Sequence, residues 1–528
     1  MSITLRNKLF FLIVLFVIFC NIPKMVQLNF LGSFLAKDLS LYPILIGAIY
    51  TGYTFYQERK LPFYKEERVL LFYIVTYVFI LMLSFLHGLS MYPYYDAILA
   101  GPPDQIEKLP AVQHFLSTIG IEVDTISLLK FWMFARPIKG FIVETIWYFL
   151  VPYLIFTWYK RNASEGFSIL TRAIFCATVL VCVYSMIDVL YLSGSTLAET
   201  VLATLNPIVH YIQSNGTWWP PLLWKGQLRA LFAEPSYYGI YSAFAMPFLW
   251  YYWWQNIGRT KKIVITIILF LFTCGLFLTK ARTANVLFIG EIILLICFTL
   301  WQRNRDFMKR TVTIVIISLV AFIVSVFSLN FMPGSPQGST MGYDDKDSIA
   351  ISSYLEDNVG SLASSNKRSN GARYSILEAS IAIGKDYPLL GVGKSLRNAY
   401  IPDYLSTEGK ANSEVQYWIK NQEEKGIMKS GFPALGEYST RFAETGVLGL
   451  VIYLLPAAFL AWRLLKRIYL SGNREEREKY IFFFISLSGV MASGLGDNLS
   501  ITCAYWILMG LGYALIASPS KKEQHESA

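Results

Sequence analysis

Residues 229–254 read RALFAEPSYYGIYSAFAMPFLWYYWW. From Tyr237 onward the stretch is apolar and aromatic enough to be at home only in a bilayer, yet Arg229 and Glu234 stand at its mouth. Ionisable groups at a membrane boundary serve either as interfacial anchors or as functional groups. Pro235 suits a first helical turn and Ser236 can cap it. Arg229 and Glu234 then flank a helix N-terminus, which already favours anions. The competing reading is an anchor, with Arg229 paired to Glu234 and snorkelling to the headgroups.

The rest of the chain repeats the pattern. Of 528 residues, 54% are hydrophobic and only 16% charged, against about a quarter charged in an ordinary soluble protein. Apolar runs close to the ~20 residues that a spanning helix needs recur at about 9–27, 39–56, 69–87, 140–159, 168–191, 237–255, 263–279, 283–301, 311–331, 444–462, 480–496 and 499–517. The expectation is an all-α integral membrane protein with twelve spans. All six cysteines fall inside these runs and read as small hydrophobes, neither disulfides nor metal ligands. Leu9–Ile22 resembles a signal-peptide core, but no A-x-A-like cleavage site follows closely, so it is kept as a span.

The net charge of +10 does not call for nucleic acid. Twenty-three of the 46 Lys and Arg fall in the N-terminus, 57–68, 160–167, 256–262, 302–310, 463–479 and the C-terminal tail, whereas the short segments on the other side hold four: Lys24, Lys37, Lys280 and Arg282. That bias is the positive-inside rule. It expects a cytoplasmic-membrane protein with both termini in the cytoplasm and three long extracytoplasmic segments, 88–139, 192–236 and 332–443. The chain divides accordingly into spans one to nine within 1–331, the large partly helical loop 332–443, and spans ten to twelve with the tail in 444–528. No internal repeat and no inverted pair of broken helices of the transporter type is found.

Three further stretches stand out. LTKARTA joins spans seven and eight so tightly that Lys280 and Arg282 must lie at the outer membrane surface, where the positive-inside rule disfavours them; snorkelling competes here too. In the large loop, Arg373 is followed ten residues later by Gly384 and then DYPLLGVG, while RFAETGVLGL opens the tenth span. GVGKS is not a nucleotide P-loop, because the first glycine that motif requires falls at Pro388. YDDKD at 343–347 reads as a solvated loop rather than a metal site. The aromatic run YYWWQ at 251–255 reads as an interfacial belt.

Taken in this order, RALFAEPSYYG, LTKARTA, R373-x10-G384 with DYPLLGVG, and RFAETGVLGL resemble the O-antigen ligase / O-antigen polymerase superfamily of bacterial membrane glycosyltransferases. The resemblance covers roughly residues 225–450 and the span layout. It implies transfer of a glycan from an undecaprenyl-diphosphate carrier to an acceptor hydroxyl, outside the membrane, with neither cofactor nor metal. The implied partners are the lipid-linked donor and acceptor, membrane lipids and a chain-length regulator; nucleic acid is not among them.

Such chemistry needs cations for a diphosphate leaving group, and guanidinium forks suit phosphate oxygens. Arg229, Arg282 and Arg373 are the candidates, with Lys280 as helper. It also needs a base for the attacking hydroxyl. The superfamily's ligases carry a His-Asn pair about nine residues before the Glu of the "aEtG" segment. Counting back from Glu444 gives Leu435 and Gly436, then Glu437, and the large loop holds no histidine. The departure favours a polymerase over a ligase that serves lipid A-core or protein. It leaves Glu437, Glu234 and His210 as candidate bases, each with a structural role as its competing reading. The run WWPPLLW at 218–224 reads as an interfacial belt as well, but its Trp218 and Trp219, close in sequence to Arg229, are candidates to stack a sugar. A flippase of lipid-linked oligosaccharide is the reading from a different class, but it would place its charges within the spans and keep its outer loops short.

Overall fold

The computed structural model describes residues 3–28, 35–58, 65–135, 137–211, 226–255, 257–332, 351, 354–355 and 368–517. Among them every regular element is a helix. Seven helical stretches are long and apolar enough to cross a membrane: Lys65–Ser90, Thr125–Tyr159, Ala163–Leu192, Arg259–Leu278, Arg282–Gln302, Arg305–Leu329 and Glu437–Leu470. Ile3–Leu15, Leu41–Glu58, Pro235–Trp254, Arg474–Ser493 and Ala504–Ala517 are helical as well but fall outside that group. Ile3–Leu15 and Ala504–Ala517, with 13 and 14 residues, reach only about 20 Å at the usual rise, short of a ~30 Å hydrocarbon core. Length and composition thus mark seven candidate spans among the described residues, and the twelve expected from the sequence are not all recovered by that measure. The segment expected as the loop 88–139 is itself rich in helix, and the stretch Thr125–Tyr159 runs from it through a π turn at Ile146–Leu150 into the fourth expected span.

Pro235–Trp254 packs against Ala163–Leu192, Arg259–Leu278, Arg282–Gln302 and Arg474–Ser493. Being surrounded on several sides, it is buried on nearly every face. Trp250 and Trp254 are fully enclosed, and Tyr251 and Trp253 nearly so. The expected belt at YYWWQ is therefore core. Tyr251 packs on Phe482, Trp254 on Phe307 and Phe482, and the preceding Trp250 on Phe288, because large rings fill the space where four helices meet.

The charged turns sort to the two ends of the bundle. At one end Lys160 pairs with Glu67 at 3.1 Å, Arg463 with Glu66 at 3.7 Å and Arg474 with Asp306 at 3.5 Å. At the other end the short turns 278–282 and 494–498 meet the segment 368–437, and the candidate residues gather there.

Candidate active site

Two of the motifs are locked to each other backbone to backbone. Glu437–Leu470 is broken at Gly446, whose φ of 63° leaves the helical region. The break frees four backbone groups, and DYPLLGVG takes them up. Val392 and Gly393 donate to the carbonyls of Ala443 and Glu444, both at 2.9 Å, while Val447 and Leu448 donate to those of Pro388 and Leu389 at 2.8 and 3.4 Å. A Cβ on Gly446 would lie 2.3 Å from the Leu389 carbonyl carbon, and one on Gly391, at φ 66°, would lie 2.4 Å from that of Glu444. Only glycine tolerates both the dihedral and the approach. Ser84, from Lys65–Ser90, donates to the Glu444 carbonyl at 2.6 Å. Three distant stretches are thereby pinned at one point.

This lock orients helix Arg368–Asp386, which carries the cation site. Arg282 Nη1 donates to Asn370 Oδ1 at 2.5 Å. One turn further, Arg373 Nη1 donates to the Gly496 carbonyl at 2.7 Å and lies 3.5 Å from Asp497 Oδ1. Arg282 and Arg373 are thus gathered on one helix face. Lys280 sits in the turn just before Arg282 at φ 50°, and its Nζ approaches Gly226.

Glu234 belongs to the same cluster. Its carboxyl sits in the field of Arg373 and Asp497, and burial is the largest influence raising its pKa above the usual carboxylate range. Asp497 is likewise pushed up by burial, with Arg373 opposing. Its Oδ2 is buried without a hydrogen-bond partner. Asp497, in the turn GDN, escaped the sequence reading because nothing local marks it.

Arg229 stands elsewhere. It is 2% exposed, and Asp188 is the leading charge acting on it. The Asp188 carboxylate also accepts from the backbone N–H groups of Arg229 and Ala230, at 3.3 and 2.7 Å. His210 is beside it, its pKa pushed down to about 3 by burial and then by the Arg229 charge. A histidine held neutral so far below its ordinary value is a weak base. The structure brings Arg282, Arg373 and Glu234 together and gives Arg229 and His210 a buried setting of their own.

Glu437 is committed to structure. Its Oε1 accepts from Arg441 Nε at 2.7 Å and its Oε2 from the Leu499 N–H at 3.2 Å. Arg441 reaches on to Tyr77 at 2.9 Å and to Glu144 at 2.5 Å, and Lys394 also meets Glu144 at 2.5 Å. Its guanidinium lies 5.5 and 5.3 Å from the Tyr148 and Tyr453 rings. This buried network was missed in the sequence, although Arg441 lies inside the quoted RFAETG. Trp218, Trp219 and YDDKD lie outside the described residues. Among the described residues no group of three or more His, Cys, Asp or Glu is placed to hold a metal ion.

Residues 266–454 match a family model described as O-antigen ligase, which supports the resemblance carried by the motifs. The matched stretch contains Lys280, Arg282, Arg373 and the Gly391–Gly446 lock; Glu234 and Asp497 flank it. No curated protein matches the chain.

Proposed function

We propose that the chain is a membrane glycosyltransferase that polymerises lipid-linked polysaccharide repeat units on the face of the membrane opposite the basic segments. The observation that carries this reading is the contact of Arg282 with Asn370, one helical turn before Arg373 on Arg368–Asp386, with the half-buried carboxyl of Glu234 and the buried one of Asp497 in the field of Arg373. Two guanidiniums would hold the undecaprenyl diphosphate, with Lys280 as helper. The acceptor hydroxyl attacks the anomeric carbon, and the carbon–oxygen bond to the diphosphate breaks with its electron pair. The hydroxyl proton passes to Glu234, whose raised pKa makes it a better base than an exposed glutamate. Preorganised cations in a water-poor site stabilise charge as it builds on the leaving group.

Detergent-purified protein given the lipid-linked repeat unit is expected to produce a ladder of chain lengths, and to do so in excess chelator. A single addition to a lipid A-core or protein acceptor would assign a ligase instead. Activity lost to the chelator and restored by magnesium or manganese would overturn the metal-free scheme.

The topology has its own test. A cysteine at Gly342 is expected to react with an impermeant thiol reagent on spheroplasts, and one at Ser471 to stay silent. The reverse result would put the site on the wrong side for this chemistry.

A further inference from the structure

A second surface at the same end of the bundle has the chemistry of a sugar platform. Tyr400, 2% exposed, is its hub. The Tyr94 ring stands 4.9 Å from it at 86°, and the Tyr387 ring 5.7 Å from it at 75°. Tyr92 closes the cluster 6.1 Å from the same hub. These edge-to-face contacts hold the rings in fixed orientations. Tyr94 Oη donates to Asp403 Oδ2 at 2.5 Å, and Tyr404 Oη to Asp386 Oδ2 at 2.8 Å. Tyr94, Tyr387 and Tyr404 are half-buried and both aspartates are exposed.

The rings come from three separate parts of the chain: the segment after Lys65–Ser90, the end of Arg368–Asp386, and helix Arg397–Tyr404. A membrane-interface belt would have no use for exposed carboxylates tied to its phenols, and a diphosphate would be repelled by them. A pyranose fits both features. Its C–H face packs on fixed aromatic rings, and its hydroxyls donate to carboxylates, each with about four acceptor sites and only one spent on a tyrosine.

We propose that Tyr94, Tyr387, Tyr404, Asp386 and Asp403 form a carbohydrate-binding subsite for the glycan, away from the reacting bond. Asp386 ends the helix that carries Arg373 near its start; thirteen residues at 1.5 Å each separate them by about 20 Å. The subsite therefore engages sugars some distance along an oligosaccharide whose reacting end lies at Arg373. This inference rests on the glycosyltransferase reading for its substrate class, but it can fail independently of it.

The probe is the glycan released by mild acid from the host's own lipid-linked intermediate, mixed with the purified full chain and observed by saturation-transfer NMR. Wild type is expected to transfer saturation to the sugar protons. The triple variant Asp386→Asn, Asp403→Asn, Tyr404→Phe keeps every ring and is expected to weaken binding at least tenfold; Tyr417→Phe, elsewhere on the outer segment, should bind as wild type does. If the triple variant does not purify as a folded protein, Asp403→Asn alone is read in its place. Wild-type affinity in the substituted protein, or no transfer in wild type, overturns the subsite. Turnover of lipid-linked substrate by the wild type is read separately: its absence sinks the transferase reading, while sugar binding without turnover leaves the subsite standing.

Discussion

Arg441→Leu is expected to cost the folded protein several kcal/mol. Arg441 is 5% exposed and holds Glu437 at 2.7 Å and Glu144 at 2.5 Å. Removing one partner of a buried ion pair leaves an uncompensated charge, typically worth about 3–5 kcal/mol. Glu144 keeps Lys394, but Glu437 keeps only the Leu499 N–H. The measurement is the midpoint of thermal unfolding in detergent, with abundance in the membrane as a second readout. The double change Glu437→Gln, Arg441→Leu should recover part of the loss, because it removes the stranded charge. A change within the ~0.5 kcal/mol typical of surface sites would show that the network does not hold the broken helix in place.

The second large effect falls on rate. Arg282→Lys and Arg373→Lys keep the charge but remove the planar fork. A charge-assisted hydrogen bond worth roughly 1.5–3 kcal/mol corresponds to about ten- to a hundredfold in turnover when it forms mainly in the transition state. Both variants are expected to insert at normal abundance and lose that much activity. Arg229→Lys should behave differently: set 2% exposed against Asp188, it should show its effect in abundance before rate. Full activity in Arg373→Lys would remove the diphosphate role from this arginine.

Much of this was legible because its causes are local. Apolar runs announce membrane helices, and the crowding of Lys280 and Arg282 into one short turn marks an end of the bundle. DYPLLGVG and RFAETG were visible as motifs, since the glycines that allow their close approach lie in the sequence itself. Their partnership was not visible. It is carried by backbone hydrogen bonds between segments some fifty residues apart, such as Val392 to Ala443. Arg441 and Glu144 are further from one another still, and no spacing rule joins a glutamate in the fourth expected span to an arginine at the end of the expected large loop. Asp497 was hidden for the same reason. The aromatic run at 251–255 misled because tryptophan and tyrosine serve interfaces and crowded cores equally well, and only the four surrounding helices decide between them.

The central claim is that the glycan changes carrier and leaves its diphosphate behind at the Arg282–Arg373 site. Purified protein in liposomes, supplied with lipid-linked repeat unit on one side only, allows both events to be counted together. The account predicts one undecaprenyl diphosphate released for each repeat unit joined, on the face that bears residues 368–437, with release falling about ten- to a hundredfold in Arg373→Lys. Movement of intact lipid-linked glycan to the opposite leaflet, with no diphosphate released, would contradict it and identify a flippase.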